Sequence, residues 1–233
     1  MSRFDLVIFD YDGVIADSEL LNNRVLAELL TEAGLATTVD EAIATYMGRR
    51  WLDCVPLIEQ RLGRPCPDFL HAEWTRRCHQ EAHARLEAVD GVAAFVEGLQ
   101  LSRCVASSSP PAWIEMGLDR FGLREAFGDS IYSAAVHVTR GKPRPDLFLH
   151  AADAMGAEPG RTLVIEDTVT GVTAGVAAGM TVIGLCAGGH IRPGHADRLA
   201  AAGAHHVVES YAEVAPLFSS SGDARPIGRW LGN

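Results

Sequence analysis

Two aspartates that directly follow an apolar run have the side-chain types and spacing for nucleophilic and acid–base chemistry. Residues 6–9 form the apolar run, and Asp10-Tyr11-Asp12-Gly13 comes next. Asp10 suits a carboxylate nucleophile and metal ligand. Asp12 suits a proton donor and acceptor whose backbone carbonyl is free for the metal. A plain turn is the competing interpretation, whereas a calcium-binding EF-hand loop needs a glutamate where Leu21 stands.

A second acidic pair, Glu166-Asp167, follows another apolar run at residues 163–165. If both pairs end strands of one parallel sheet, the four acidic side chains line a single crevice. Carboxylates crowded in this way repel one another, so the cluster is costly unless a cation neutralises it. Mg²⁺ accepts a few carboxylate oxygens together with water and phosphate. We therefore expect a metal site, best matched to Mg²⁺, among Asp10, Asp12, Glu166 and Asp167.

A single lysine and three serines add groups that suit a phosphate. Of the twenty basic residues nineteen are arginine, and Lys142 alone is lysine. This imbalance indicates a need for a compact ammonium charge, which would hold a phosphoryl oxygen and offset the repulsion between Asp10 and a phosphate dianion. Chance survival of one lysine is the alternative. Ser107, Ser108 and Ser109 follow a third apolar run and are candidate phosphate contacts, unless they only cap the next helix.

The elements that must position these residues alternate between short apolar runs and helical patterns. The runs cover residues 6–9, 104–106, 163–165, 181–185 and 206–208. Continuous apolar runs of this length are typical of strands buried on both faces of a parallel sheet. The chain is therefore predicted to be an α/β protein with a doubly wound, Rossmann-like parallel sheet. In such sheets ligands bind at the carboxyl ends of the strands, where the acidic and hydroxyl residues lie.

Residues 16–88 contain no convincing strand and are predicted to form an inserted α-helical cap domain over the crevice. Helical patterns run over residues 20–33, 38–47 and 68–86, and Thr38 with Glu41 fits a capping box. Residues 1–15 and 89–218 are then the α/β core domain. Residues 219–233 are rich in turn-forming residues and are predicted to be a flexible tail.

Composition excludes several classes of function and partner. The formal charge of −10, without a basic stripe, argues against nucleic acid and against an anionic membrane. Five widely spaced cysteines without a CxxC pair fit neither a disulfide framework nor a zinc site. No apolar run approaches the ~20 residues of a membrane span, and the N-terminal apolar run ends at Asp10, too short and too soon charged for a signal peptide. We expect a cytoplasmic monomer or small homo-oligomer.

Four segments, taken in order, resemble the motifs of the haloacid dehalogenase-like (HAD) hydrolase superfamily. They are Asp10-x-Asp12-Gly13-Val14, the strand-ending Ser107, Lys142-Pro143, and Glu166-Asp167-Thr168-x-x-Gly171. The similarity covers about residues 4–215 and points to the helical-cap branch, which contains sugar-phosphate phosphatases and β-phosphoglucomutase. The resemblance implies Mg²⁺ held by Asp10, the Asp12 carbonyl and Asp167, with Glu166 close by. It also implies a phospho-aspartyl intermediate at Asp10. In the cap, Gly48, Arg49, Arg50 and Trp51 are candidate substrate contacts, with a solvated cap face as the alternative.

Single residues choose among the activities of this branch. Asp12 supplies the acid–base group that an alkoxide leaving group needs and that a dehalogenase lacks. Phosphonate cleavage needs a second lysine for a Schiff base, and there is none. Asn22 and Met47 replace a histidine and a basic residue of the mutases. The resemblance thus implies a Mg²⁺-dependent phosphatase acting on a small phosphate ester, such as a hexose phosphate or 6-phosphogluconate. A mutase and a non-catalytic phospho-metabolite-binding protein remain the alternatives.

Histidines form the last candidate group. His79 and His83 have i,i+4 spacing, and His190 and His195 lie in or near a glycine-rich stretch after the run at 181–185. A transition-metal site would need a third ligand on the same face. We therefore expect these four histidines to be solvated residues of the cap and of a loop.

Overall fold

Six parallel strands make one sheet at the centre of the fold. The computed structural model describes residues 3–217. Within them the strand order is β3-β2-β1-β4-β5-β6, and the order reverses between β1 and β4. The strands are β1 (Leu6–Phe9), β2 (Ser102–Ser107), β3 (Ile131–Ser133), β4 (Thr162–Glu166), β5 (Thr181–Leu185) and β6 (His206–Val208).

Helices either flank this sheet or stand between its first two strands. The helices are α1 (Glu19–Glu32), α2 (Val39–Tyr46), α3 (Trp51–Leu62), α4 (Phe69–Arg85), α5 (Val92–Gly98), α6 (Pro111–Arg120), α7 (Arg124–Phe127), α8 (Asp146–Ala154), α9 (Val169–Ala177), α10 (His195–Ala201) and α11 (Tyr211–Leu217). One 3₁₀ turn, Pro159–Arg161, leads into β4. The four helices between β1 and β2, α1 to α4, are called the insert helices below.

The apolar run of β1 is continuous because both of its faces are covered. Val7 and Phe9 belong to one buried apolar cluster, which includes side chains of α5, α6 and α11. Leu6 and Ile8 belong to a second cluster, which includes side chains of α8, α9 and α10. Successive strand residues point to opposite faces, so a central strand between two helical layers needs an apolar residue at every position. The predicted doubly wound α/β fold is confirmed.

Two elements escaped prediction. Strand β3 has three residues, which is too few for a periodic pattern. Helix α3 contains Pro56, which is disfavoured inside a helix because it lacks the N–H donor. Helices α1, α2 and α4 lie within one to two residues of the predicted stretches. The capping box of α2 is confirmed, since Thr38 Oγ1 accepts from Glu41 N–H and Glu41 Oε2 accepts from Thr38 N–H.

Close packing of α9 on the sheet depends on glycine. A Cβ on Gly175 would lie 2.7 Å from Val182 Cγ2, so a side chain there would push the helix off β5. A Cβ on Gly171 would overlap the Glu166 carboxylate. Gly179 has a different task, because it follows the helix in the left-handed conformation with φ +75°. Two glycines of the Gly-x-x-x-Gly-x-x-x-Gly series therefore allow close approach, and the third follows the end of the helix.

The insert helices pack on one another, with α1 in contact with both α2 and α4. The division into a core of residues 1–15 and 89–218 and a cap of residues 16–88 stays a prediction. The predicted tail, residues 219–233, lies outside the described residues. All five cysteines are free. No helix among residues 3–217 has both the length and the apolar character to cross a bilayer.

Candidate active site

A buried group of opposite charges lies where β1 and β4 end. The two strands are neighbours, with Phe9 paired to Ile165, so the next residues, Asp10 and Glu166, come out side by side. Lys142 reaches between them, with Nζ 3.0 Å from Asp10 Oδ1 and 2.6 Å from Glu166 Oε1. Lys142 is only 2% exposed. The structure thus brings together Asp10, Lys142 and Glu166, which lie far apart in the chain. These three residues and Asp167 are called the carboxylate cluster below.

Glu166 is fully bonded within this cluster. Its Oε1 accepts from Lys142, and its Oε2 accepts from the N–H of Asp167 at 2.9 Å and the N–H of Thr168 at 2.8 Å. Burial alone would raise the pKa of Glu166, but Lys142 and these donors hold it below its usual value. The absence of a side chain at Gly171 leaves the space that the carboxylate occupies. Glu166 therefore anchors Lys142, and its predicted role as a metal ligand stays a prediction.

Asp10 and Asp167 are buried carboxyl groups with too few partners to neutralise two negative charges. Burial raises the pKa of both carboxyls well above the usual range, and neighbouring carboxylates raise it further, while Lys142 opposes the rise. Among the described residues, neither oxygen of Asp167 has a hydrogen bond of good geometry, and its near neighbour is His190 Nε2, 2.9 Å from Oδ2. One ligand atom from each of Asp10, Glu166 and Asp167 lies within 4.8 Å of the others. Orphaned, buried carboxylate oxygens of this kind fit a hard divalent cation.

Asp12 is held by donors from both sides of the crevice. Ser18 Oγ donates to Oδ1 at 2.5 Å, and the indole Nε1 of Trp113 donates to the same oxygen at 3.0 Å. Ser109 Oγ donates to Oδ2 at 2.5 Å. Ser18 precedes α1, whereas Ser109 and Trp113 follow β2, so the carboxylate lies between the insert helices and the sheet. None of these three partners could be linked to Asp12 from the sequence, because no spacing connects them; Ser109 was proposed only as a phosphate contact beside Ser107 and Ser108.

The predicted phosphate contacts line one small cavity with the two aspartates. This polar cavity measures about 50 Å³. Its lining includes Asp10, Asp12, Glu19, Asn22, Asn23, Gly48, Arg49, Ser107, Ser108 and Ser109. Ser107 Oγ accepts from Ser109 N–H, and Ser108 Oγ donates to the Gly48 carbonyl, which lies in the insert. This space is therefore lined by residues proposed from sequence: Asp10, Asp12, Gly48, Arg49, Trp51, Ser107, Ser108 and Ser109.

A larger cavity adjoins the polar cavity on the side of the insert helices. It measures about 350 Å³. Its walls are mainly aromatic and apolar side chains: Trp51, Leu52, His71, Trp74, Cys78, His79, Pro110, Trp113 and Ala135. Arg50 also lines it, but its guanidinium donates to Asp53 and to carbonyls of the 134–139 loop. Arg49, Arg50 and Trp51, proposed from sequence as substrate contacts, line this aromatic cavity, but the cavity itself was not predicted.

The prediction for the loop histidines is wrong. His190 is fully buried, and its Nε2 lies 2.9 Å from Asp167 Oδ2. His195 is 4% exposed, and one of its ring nitrogens lies 2.6 Å from the Asp167 carbonyl. For His190 the signal was the glycine-rich surroundings, since a Cβ on Gly13 or Gly188 would overlap its ring. Of the insert histidines, His83 is exposed as expected.

His79 is only half-buried, and it meets the core rather than solvent alone. Its ring lies edge-on to Trp113, with 5.1 Å between the ring centroids and an interplanar angle of 84°. Since Trp113 also donates to Asp12, helix α4 is linked to Asp12 through one aromatic contact.

A scan against protein-family models matches residues 4–179 to the haloacid dehalogenase-like hydrolases. Among curated proteins, the 6-phosphogluconate phosphatase of Escherichia coli is 28% identical over 83% of this chain and 87% of its own. The fructose-1-phosphate phosphatase of the same species is 32% identical over 78% of this chain and 96% of its own. These matches agree with the resemblance inferred from the four motifs.

Solved structures show the same fold. A haloacid dehalogenase-like protein from Agrobacterium tumefaciens superposes with a TM-score of 0.80 and is 36% identical. The superposition covers 93% of this chain and 98% of that one. The likeness therefore includes the insert helices as well as the sheet.

Proposed function

The chain belongs to the haloacid dehalogenase-like hydrolase family, and on that premise we propose that it is a Mg²⁺-dependent phosphatase. Its substrate is a small phosphomonoester, a sugar or polyol phosphate, and hydrolysis passes through a phospho-aspartyl intermediate at Asp10. The single observation that carries this proposal is the pairing of Asp10 with Lys142 beside a cavity that also contains Asp12.

In the first half of the reaction, one carboxylate oxygen of Asp10 attacks phosphorus as the bond from phosphorus to the ester oxygen breaks. Asp12 donates a proton to the departing alkoxide, which leaves as an alcohol. The ammonium group of Lys142 offsets the repulsion between Asp10 and the incoming dianion. Ser107 and Ser108 hold phosphoryl oxygens in the polar cavity.

In the second half, water attacks the phosphorus of phospho-Asp10. Asp12, now a carboxylate, takes the proton of that water, and the bond from phosphorus to the Asp10 oxygen breaks. Orthophosphate leaves, and both aspartates return to their starting states. Ser18, Ser109 and Trp113 keep Asp12 pointed at the same place in both halves.

Asp10, Asp167 and the carbonyl of Asp12, with Glu166 close by, would hold Mg²⁺. When bound, the ion supplies positive charge that stabilises the phosphoryl oxygens in the transition state. The unmet charge of Asp10 and Asp167 supports a divalent cation at this position.

Relatives named as 6-phosphogluconate and fructose-1-phosphate phosphatases support a sugar or polyol phosphate as the substrate class. Hydrolysis is favoured over a mutase reaction because Asn22, whose amide has no acid–base chemistry near neutral pH, stands where the mutases carry histidine. The amide Nδ2 lies 3.5 Å from Asp12 Oδ1.

Orthophosphate release across a panel of phosphomonoesters tests the proposal, with Mg²⁺ and with a chelator. We expect Mg²⁺-dependent release from several sugar or polyol phosphates, and none from the Asp10→Asn protein. Reaction confined to β-glucose 1-phosphate plus a bisphosphate would favour the mutase. No release from any ester in the presence of Mg²⁺ would leave a binding protein as the better account.

A further inference from the structure

The aromatic cavity is built on one face of a single helix and completed from two others. His71, Trp74, Thr75 and Cys78 follow one another at helical spacing along α4 and line the cavity together. Trp51, the first residue of α3, adds a further aromatic wall, and Trp113 of α6 closes the side nearest the sheet. The solvent-facing surface of a helix normally carries polar side chains. A face with two aromatic rings beside a cavity is therefore suited to binding another molecule.

Trp51 lines this cavity as part of a group of stacked rings. The Trp51 ring lies 4.8 Å from His71 at 11° and 5.6 Å from Trp74 at 25°. His71 and Trp74 are themselves only 6.4 Å apart, much less than the sum of those two separations. The three rings therefore form one aromatic group in the cavity wall. The indole of Trp51 offers a flat, preorganised surface of the kind on which planar rings stack.

Both remaining indole groups in the cavity have their N–H donors occupied. Trp74 Nε1 donates to the Asn22 carbonyl at 3.0 Å. Trp113 Nε1 donates to Asp12 Oδ1 at 3.0 Å. To a ligand in the cavity, these two indole rings therefore offer an apolar surface but no free N–H donor.

Two further polar side chains of the lining, Ser108 and Arg50, are also bonded within the protein. Ser108 Oγ donates to the Gly48 carbonyl at 3.2 Å. Arg50 directs its guanidinium to Asp53 at 2.8 Å and to the Thr139 carbonyl at 3.0 Å. Hydroxyls placed against Trp74 and Trp113 would give up water for side chains whose donors are already bonded, and unpaired hydroxyls lower affinity. Arg49 and Asn22, two polar groups that also line the polar cavity, lie toward the phosphate end.

The aromatic cavity lies next to the residues that act on the ester oxygen, so the leaving group of the substrate would occupy it. It shares Asn22, Arg49, Trp51, Trp74, Ser108 and Ser109 with the polar cavity, so the two spaces are continuous. Trp113 contacts Asp12, which protonates the departing oxygen, and it also lines the aromatic cavity. Hydroxylated carbons next to the phosphate would meet the polar cavity, and the far end of the leaving group would meet the aromatic cavity.

We infer that the substrate is a sugar or polyol phosphate whose leaving group ends in a planar aromatic or heteroaromatic ring. A nucleoside 5′-monophosphate or a ribityl phosphate attached to a fused ring system has this chemistry. The hydroxylated part lies in the polar cavity, and the ring stacks on Trp51. This inference rests on the proposed phosphatase function and narrows its substrate class.

Matched esters that differ only in the ring provide the test. Adenosine 5′-monophosphate is compared with ribose 5-phosphate, and flavin mononucleotide with ribitol 5-phosphate, with orthophosphate release measured in Mg²⁺. We expect kcat/KM for the ring-bearing ester to be higher by about 10-fold or more in at least one pair, mainly through KM. Equal values in both pairs, or higher values without the ring, overturn the inference.

Variants locate the effect on Trp51. Trp51→Ala should reduce the ratio of kcat/KM between ring-bearing and ring-free esters by about 10-fold, and Trp51→Phe should retain most of it. Phe69→Ala removes an aromatic side chain of the insert that is 59% exposed and lies outside both cavities, so the ratio should not change. An unchanged ratio in Trp51→Ala contradicts the stacking.

A binding measurement separates this inference from the proposed function. Calorimetric titration of the Asp10→Asn protein with each matched ester reports ring recognition without turnover. Tighter binding of the ring-bearing ester, with no turnover of any ester by the unaltered protein, would retain the ring site and reject the phosphatase. Turnover of all esters at similar rates would retain the phosphatase and reject the ring site.

Discussion

The carboxylate cluster and the aromatic cavity adjoin each other, yet they are built by different means. The cluster comes from the ends of parallel strands and one loop, and it is buried and charged. The aromatic cavity comes mainly from the insert helices and is half-open and apolar. A side chain at the end of a strand is held in position by the hydrogen bonds and packing of the whole sheet. Side chains on a helix face, in contrast, can be exchanged without moving the backbone.

This difference matches what each region meets in the proposed reaction. The phosphoryl group is common to every phosphomonoester, so substitutions in the cluster should affect all substrates alike. The leaving group varies, so substitutions in the aromatic cavity should alter the order of preference among substrates. Four changes test this division.

Asp10→Asn should produce the largest effect, a loss of at least about 10³-fold in orthophosphate release from every ester. The amide is a poor nucleophile and cannot carry the phosphoryl group. Folding should be retained, because the amide has the same shape and removes one negative charge from a crowded site, and circular dichroism checks this. Asp153→Asn, an exposed change on α8, is the matched control. Unequal losses among esters would contradict the division.

Lys142→Arg should lower kcat by about 100-fold on all esters, although it keeps the charge. Nζ fits between Asp10 and Glu166 and lies 5.0 Å from the centroid of the Phe148 ring, and the buried site has no room for a planar guanidinium. Steady-state rates on two unlike esters measure the effect. Arg85→Lys, an exposed exchange in the reverse direction, should leave the rates unchanged. Near-normal rates in Lys142→Arg would remove the argument for a compact ammonium group.

The carboxylate cluster was predictable because its residues follow short apolar runs. A run such as residues 6–9 identifies a central strand, and the next residue must then lie at the carboxyl edge of the sheet. Parallel strands bring Asp10 and Glu166 together at that edge wherever they stand in the chain. Lys142 does not follow such a run. It was predicted because the other nineteen basic residues are all arginine.

The aromatic cavity was not predictable by the same means. Trp51 and Trp74 stand 23 positions apart on two helices, one of which escaped prediction, and no periodicity states how two helices pack. The prediction that His190 and His195 are solvated was wrong for a related reason. Burial of His190 depends on the missing side chains of Gly13 and Gly188, which lie far apart in sequence.

His190→Asn should weaken Mg²⁺ binding by about 10- to 100-fold. His190 packs against Asp167, whose two oxygens have no other partner among residues 3–217, so the shorter side chain would leave that carboxylate less well oriented. Calorimetric titration with Mg²⁺ in the absence of substrate measures the change directly. His83→Asn, on the exposed side of α4, should bind Mg²⁺ as the unaltered protein does. Equal affinities for all three proteins would separate His190 from the metal site.

Trp113 belongs to both regions, and its substitution tests whether they can be separated. Trp113→Phe retains a ring in the aromatic cavity and against His79, but it removes one of the donors that hold Asp12.

Because Asp12 protonates the leaving group, the loss of this donor should depend on the leaving group. We expect kcat on an alkyl phosphate to fall by about 10-fold, and kcat on p-nitrophenyl phosphate to change little, since p-nitrophenolate departs without a proton. KM for a ring-bearing ester should stay close to normal, because the stacking surface of Trp51 is intact. Equal losses of kcat on both esters would show that Trp113 supports the fold of the site rather than the orientation of Asp12. A rise in KM alone would instead assign Trp113 to the aromatic cavity and leave Asp12 oriented by Ser18 and Ser109.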